Sequence, residues 1–287
     1  MTKVLVTGAG GYIGRHVVSA LCDAGADVLA CVRHNAKLDD RAAVIVKDIF
    51  SPSESIFEEL DSPDVCVHLA WKDGFIHNSP VHISQLAAHF DFIRAMINGG
   101  LKHLAVMGTM HEIGYHIGPV DADTPCAPLS MYGIAKDALR RSTMLLANEN
   151  NICLQWLRAY YIYGDDENNH SIFTKITEAE KEGKEYFPLN SGKNKYDFIH
   201  IDELAKQIAA TVMQTEVSGI INCCSGKPMA LGDRVEQYIH EHEYSIKPQY
   251  GAFPDRVYDS PAIWGDASKI EQIMKSTINV KCGSLTE

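Results

Sequence analysis

The chain has 287 residues, 46% of them hydrophobic and 22% charged, which is enough apolar material for a sizeable core. Its formal net charge of −11 argues against nucleic acid or anionic membrane as the main partner, because a phosphate-rich surface calls for clustered Lys and Arg. A small anionic ligand is not excluded, since it needs only a local cationic pocket.

Short β-branched runs alternate with helical periodicity through the first half. "KVLVTG" predicts a strand, Tyr12 to Ala24 a helix, and "ADVLACVR" and "AAVIVKD" two further strands. "SPSESIFEEL" reads as a short capped helix, "PDVCVHLAW" as a nearly continuous apolar strand, and Pro80 to Gly99 as a long helix. "LKHLAVMGT" is again a strand, Met131 to Asn150 a helix, and "ICLQWLRAYYIYG" a single strand. Strands this apolar, separated by helices, predict a parallel sheet covered on both faces, a doubly wound α/β architecture. After Gly164 come a polar loop, a helix near Ile172 to Gly183 and the loop "PLNSGKNKYDFIHI". Helices near Asp202 to Gln214 and Leu231 to His242 flank the strand "GIINCC", and the tail from Pro248 is rich in turns and aromatics.

No apolar run reaches the ~18 residues of a membrane span, and "MTKVLVTGAG" lacks the pattern of a secretory signal. The expectation is a cytoplasmic protein. The eight cysteines have no CxxC spacing and fit reduced, buried thiols. The thirteen histidines do not pair at metal-ligand spacing, so no metal is expected.

Between the first strand and helix, Gly8, Gly11 and Gly14 are spaced GxxGxxG. Gly8 suits a tight turn, Gly11 lets backbone amides approach a pyrophosphate, and Gly14 allows close helix packing. The helix amino terminus, with Tyr12 and Ile13, then faces the phosphates with its positive dipole end. A dinucleotide is therefore expected. The second strand ends in Arg33 where NAD binders usually carry an acid for the ribose. A guanidinium can grip a ribose 2′-phosphate, so NADP(H) is preferred, with NAD(H) the alternative. Asp48 and Ile49 lie where the adenine edge is expected.

In "SMYGIAKDALRR", Tyr132 and Lys136 stand four apart and share a helix face. "TGAGGYIG" with "YGIAK" resembles the extended short-chain dehydrogenase/reductase superfamily, in its nucleotide-sugar epimerase, dehydratase and reductase branch. The likeness extends through "VCVHLAW", "LRAYYIYG", "YDFIHIDEL", "INCCSGK" and "WGDASK", nearly the whole chain. It implies a Rossmann domain over 1–164, receiving segments near 197–225, with a small substrate-binding lobe from 165–196 and 226–287. It implies Tyr132 as proton donor or acceptor, Lys136 lowering its pKa and holding the nicotinamide ribose, and Thr109 hydrogen-bonding the substrate oxygen. Gly133 is expected to leave the Tyr132 hydroxyl approachable. Leu69, Ala70, Trp71, Tyr160 and Ile162 are the further cofactor contacts implied.

Dehydratases of this branch carry Asp-Glu directly after the catalytic Thr. Here Met110 and His111 follow Thr109, and Glu112 is one position late, so dehydration is set aside. The chain length and the absent ribose acid favour NADPH-dependent reduction of a nucleotide-activated 4-keto-6-deoxysugar, for a surface polysaccharide. The alternatives are a 4-epimerase, a bifunctional epimerase-reductase using His111 or His170, a reductase of a non-sugar carbonyl, and an inactive cofactor-binding sensor. Tyr161 and Tyr196 replace residues that usually touch the nucleotide diphosphate, leaving Lys193, Lys195 and Arg256 as candidate cations there and Lys72 near the pocket floor. Relatives pair two long helices across a twofold axis, which implies a homodimer.

Overall fold

The computed structural model describes residues 1–164, 169, 171–256 and 259–283. Its chain runs β1 (Lys3–Thr7), α1 (Tyr12–Asp23), β2 (Asp27–Val32), β3 (Ala43–Val46), α2 (Ile56–Glu59) and β4 (Val65–His68). There follow α3 (Val81–Ser84), α4 (Leu86–Gly99), β5 (His103–Thr109), a 3-10 turn (Met110–Glu112), β6 (Gly118–Val120), α5 (Met131–Asn150), β7 (Cys153–Ala159) and β8 (Tyr161–Tyr163). The second half adds α6 (Ile172–Lys181), β9 (Tyr186–Pro188), β10 (Lys195–His200), α7 (Ile201–Val212), β11 (Gly219–Cys223) and β12 (Pro228–Ala230). It closes with α8 (Leu231–Glu241), β13 (Lys247–Gln249), β14 (Ala262–Gly265) and α9 (Ser268–Gly283).

Seven strands in the order β3-β2-β1-β4-β5-β7-β11 make one sheet, and every pairing in it is parallel. Alternate residues of β1 go to opposite faces. Val4 and Val6 pack with Val17, Leu21, Leu204 and Ile208 under α1 and α7. Leu5 packs on the other side with Phe92, Ile93, Met96 and Leu139, under α4 and α5. This is the doubly wound fold the apolar strand pattern predicts.

The strand order reverses between β1 and β4, where a doubly wound sheet opens a crevice at its carboxyl edge. Register carries Thr7, His68 and Thr109 to that edge, opposite Cys31, Val106 and Ala159 respectively.

Several expectations need correction. "ICLQWLRAYYIYG" is two strands, because the chain leaves the main sheet at Tyr160 and β8 pairs with β10 instead. The segment expected as a loop from Pro188 contains β10, which joins a second sheet ordered β12-β10-β14-β6. Asp197 explains why that strand is stable there: its buried carboxylate accepts from the Ser225, Gly226 and Gly265 amides and from the Ser225 hydroxyl. Residues 197–200 thus lie outside the main sheet, and only β11 of the later segment enters it. The tail supplies β13, β14 and α9, whose Ile270 and Ile273 pack on Ile221. The helix expected over Pro80–Gly99 breaks at Gln85 into α3 and α4.

Seven described cysteines are free thiols. Among the described residues no helix is long and apolar enough to cross a membrane.

Phe92 is fully buried at the centre of the α4 face. Phe92→Ala is expected to lower the unfolding free energy by about 3–5 kcal/mol in a urea titration; a loss under about 1 kcal/mol would contradict that placement.

Candidate active site

The glycine turn is built by close approach. Gly8 has φ +68°, and a Cβ there would lie 2.7 Å from the Ala70 backbone. A Cβ on Gly14 would lie 2.2 Å from the Gly8 carbonyl. Around Gly11 there is room, its added Cβ meeting only the Gly8 carbonyl at 3.2 Å, and Gly11 is the N-cap of α1. A cradle that side chains would fill, under a helix amino terminus, fits a dinucleotide pyrophosphate. Tyr12 closes one side by donating its hydroxyl to the Gly164 carbonyl at 2.6 Å, and Ile13 packs on the α1 core. Ala70 N–H points to the Thr7 hydroxyl at 3.4 Å.

Of the outer contacts, Ile49 is buried and Asp48 accepts the Phe50 amide at 3.0 Å. Leu69 and Ile162 pack against the α1 core. Tyr160 turns its ring into the core beneath the second sheet and gives its hydroxyl to Asn222 at 3.2 Å, so its side chain is spent there.

Thr109 ends β5 and caps the 3-10 turn. Its hydroxyl accepts the His111 amide at 3.3 Å, while the Glu112 carboxylate accepts the Thr109 amide at 2.8 Å, a reciprocal capping box. Glu112 is fully buried, and Trp156 Nε1, Arg158 and Arg140 surround the same carboxylate. Burial pushes its carboxyl up, against the opposing pull of Arg158. That carboxylate is spent on these partners, and Met110 beside it is buried.

Ser130 caps α5, its hydroxyl accepting the Gly133 amide at 3.1 Å. One turn in, Lys136 is buried; its ammonium donates to the Met107 carbonyl at 2.7 Å and lies 3.8 Å from the centre of the Trp71 ring. Burial pulls its pKa down to about 7. The carbonyl and the indole face both favour the charged form. Tyr132 differs from expectation: burial pushes the phenol up, and the Thr109 hydroxyl, not Lys136, is what opposes that. Gly133 also serves another purpose than expected. A Cβ there would lie 2.3 Å from the His111 carbonyl, so glycine lets α5 seat against the 3-10 turn.

Imidazoles crowd Tyr132. The His82 ring centre is 5.2 Å away, the His111 ring 6.0 Å, and the His77 ring 5.7 Å at an interplanar angle of 12°. Trp71 donates its indole N–H to His82 Nδ1 at 3.0 Å, so the proton of neutral His82 sits on Nε2, which meets the Ile76 carbonyl at 3.0 Å. Burial and the neighbouring His77 hold His111 down near 3, so it is neutral. None of His77, His82 and His89 was expected in the site; the only signal was the density of histidines between positions 68 and 89.

Beyond His111, the Tyr161 ring centre lies 6.5 Å from its ring and 4.3 Å from that of Tyr196, tilted by 38°. The charge of Arg256 acts on His77, Tyr161 and Tyr196, which brings this one of the candidate cations to the site. Lys72, Lys193 and Lys195 are exposed. His170 lies outside the described residues. Among the described residues no cluster of His, Cys, Asp and Glu could hold a metal ion.

A family model for the NAD dependent epimerase/dehydratase family matches residues 4–224. The chain belongs to this family. A relative from Aggregatibacter actinomycetemcomitans, named dTDP-6-deoxy-L-talose 4-dehydrogenase (NAD(+)), is 46% identical over 268 residues, 92% of this chain and 99% of its own. A probable UDP-glucuronate 4-epimerase from Rhizobium meliloti (strain 1021) is 23% identical, covering 72% of this chain and 67% of its own. Solved structures of the same fold include a UDP-N-acetylglucosamine 4-epimerase from Methanobrevibacter ruminantium M1 (TM-score 0.82, 22% identity, 95% and 91% of the two chains). Another is a UDP-glucose 4-epimerase of Thermus thermophilus in complex with NAD (TM-score 0.79, 18% identity, 94% and 92%).

These findings overturn the preference for NADP(H): the 46% identical family member carries NAD(+) in its name, and structural neighbours are complexed with NAD. Arg33, which carried that preference, is exposed and makes no hydrogen bond or ion pair among the described residues, so nothing aims it at a phosphate. Nearby Arg41 is already held by Asp23 and Asp39.

Lys136 carries a testable consequence. Its pKa falls from 10.5 to about 7 on folding, so the folded state is penalised fully below pH 7 and progressively less between pH 7 and 10.5. Lys136→Met is therefore expected to raise Tm, by more at pH 6 than at pH 10; an equal gain at both pH values would exclude the shift.

Proposed function

We propose that this protein is an NAD-dependent oxidoreductase acting at the 4-position of a nucleotide-activated 6-deoxysugar, in the direction of 4-keto reduction, with dTDP as the nucleotide. The observation that carries the reading is the group at the end of β5: Thr109, Tyr132 and Lys136 converge, and among the described residues no free carboxylate stands with them. Identity of 46% to a dTDP-6-deoxy-L-talose 4-dehydrogenase supports the substrate class. The second sheet with α6 and α8 forms the substrate-binding side, around Tyr161, Tyr196 and Arg256.

The Gly8–Gly14 turn, Tyr12 and the α1 amino terminus would hold the cofactor's pyrophosphate, with Ala70, Trp71 and Lys136 toward its nicotinamide end. Bound NAD(H) supplies two-electron exchange with the sugar carbon. The protein's own groups manage the oxygen. Thr109 holds it by hydrogen bonding, and the Tyr132 phenol gives it a proton. Burial keeps that phenol protonated near neutral pH, the form a proton donor needs at the start of 4-keto reduction. Its proton is then replaced from solvent, with the Thr109 hydroxyl steadying the phenolate that forms in between.

Ile134 and Leu145 stand exposed on α5, 47% and 67% accessible, and suit the pairing of two copies through that helix. Sedimentation at micromolar concentration tests this homodimer; a monomeric profile would remove it.

The main test follows cofactor absorbance with a dTDP-4-keto-6-deoxysugar and NADH. Rapid NADH consumption is expected, and Tyr132→Phe should reduce kcat by about 10²–10⁴-fold while NADH still binds. Unchanged turnover in Tyr132→Phe would remove the phenol from the chemistry. Failure to consume NADH, with the wild-type chain instead inverting an unreduced nucleotide sugar, would favour a 4-epimerase.

A further inference from the structure

We propose that His77 is a specificity-determining residue, whose imidazole hydrogen-bonds a hydroxyl of the substrate's sugar ring as that ring lies against Tyr132. The proposal rests on the nucleotide-sugar reading above and names a contact within it.

The loop after β4 presents His77 in a defined place. Asp73 adopts φ +57°, a left-handed conformation that a short polar side chain tolerates. Its carbonyl accepts the Ile76 amide at 2.8 Å, and its carboxylate accepts the Ser79 hydroxyl at 2.8 Å. The Ile76 carbonyl accepts the Ser79 amide at 2.9 Å and meets His82 Nε2 at 3.0 Å. The loop is then joined to the start of α5. The His77 carbonyl accepts the Tyr132 amide at 2.9 Å, and the Asn78 side-chain oxygen accepts the Met131 amide at 3.3 Å. Two otherwise unpaired amides of the helix amino terminus are satisfied this way, so the backbone of His77 is fixed to the residue that moves the proton.

The side chain is left available. Buried His68, His82, His89 and His103 each spend ring nitrogens on hydrogen bonds within the protein. Among the described residues the ring nitrogens of His77 and His111 make none. Their ring centres are 4.2 Å apart, and His77 itself is exposed. His111 extends this wall toward Tyr161, at 6.5 Å. The result is a shelf beside Tyr132 offering imidazole nitrogens to whatever lies on it, with Arg256 close enough to His77 to act on its charge. A sugar ring suits such a shelf. Its hydroxyls donate and accept, as a neutral imidazole does, and its C–H faces pack on flat rings.

The test is equilibrium binding of dTDP and of dTDP-6-deoxy-L-talose to the full chain loaded with NAD(H), for wild type, His77→Phe and His77→Gln. Phenylalanine keeps a flat ring against Tyr132 and removes the nitrogens. The expected result is about tenfold weaker binding of the sugar nucleotide to His77→Phe, unchanged binding of dTDP, and partial recovery in His77→Gln. Equal weakening of dTDP and the sugar nucleotide would overturn the proposal in favour of a disturbed loop. So would unchanged binding of the sugar nucleotide, with the oxidoreductase reading left intact. A wild-type chain that binds dTDP-6-deoxy-L-talose no better than dTDP, and turns over no nucleotide sugar, would overturn both together.

Discussion

The buried carboxylate of Glu112 is the constraint from which the site follows. An ionised group taken out of water must be paired and hydrogen-bonded, or it becomes protonated or the fold gives way. Here its two oxygens meet the Thr109 amide, the Trp156 indole, Arg158 and Arg140. Those partners come from β5, β7 and α5, so satisfying one carboxylate fixes three elements relative to one another. The same bonds leave no room for a side chain at position 108, where a Cβ would lie 2.2 Å from the Trp156 nitrogen. Thr109 is aimed into the crevice because the residue three places on is anchored behind it.

The two groups expected to act together, Tyr132 and Lys136, are arranged by different forces than their spacing suggests. Helical periodicity places them on one face, but Lys136 reaches past the phenol to the Met107 carbonyl and the Trp71 ring. Burial acts on both in the direction of neutrality, raising the acid and lowering the base. The phenol is thereby held as the neutral acid, while the amine beside it titrates near pH 7.

Much of the fold was legible because its signals are local. Continuous apolar strands and the GxxGxxG turn marked the doubly wound sheet and its switch point, and the Tyr132–Lys136 spacing marked the helix that faces it. What escaped depends on long-range partners. β10 reads as a loop because "KYDFIH" alternates weakly; it becomes a strand only once Asp197 has received amides from residues 28 to 68 positions away. The Tyr160 ring escaped for the same reason, its core being assembled from β6, β14 and the segment after β11. Arg33 misled because a cation at a strand end carries no information about whether anything orients it.

The histidines show why chemistry-bearing residues are the hardest to read from sequence. His68, His77, His82, His89 and His111 do not share one helix or strand, and no spacing among them suggests a common site. Folding sorts them by what satisfies their nitrogens. His68 and His89 bond one another beneath the Thr7 hydroxyl, and burial holds them near 3 and 2, so they are a neutral filler of the core. His82 is oriented by Trp71 and holds the loop. Of these five, His77 and His111 are the two whose rings make no hydrogen bond among the described residues, and both lie against Tyr132. A polar group left unpaired at a concave site is tolerated where a ligand or water completes it. The two imidazoles whose rings the fold does not bond are the ones available to a ligand, which is the ground of the proposal for His77.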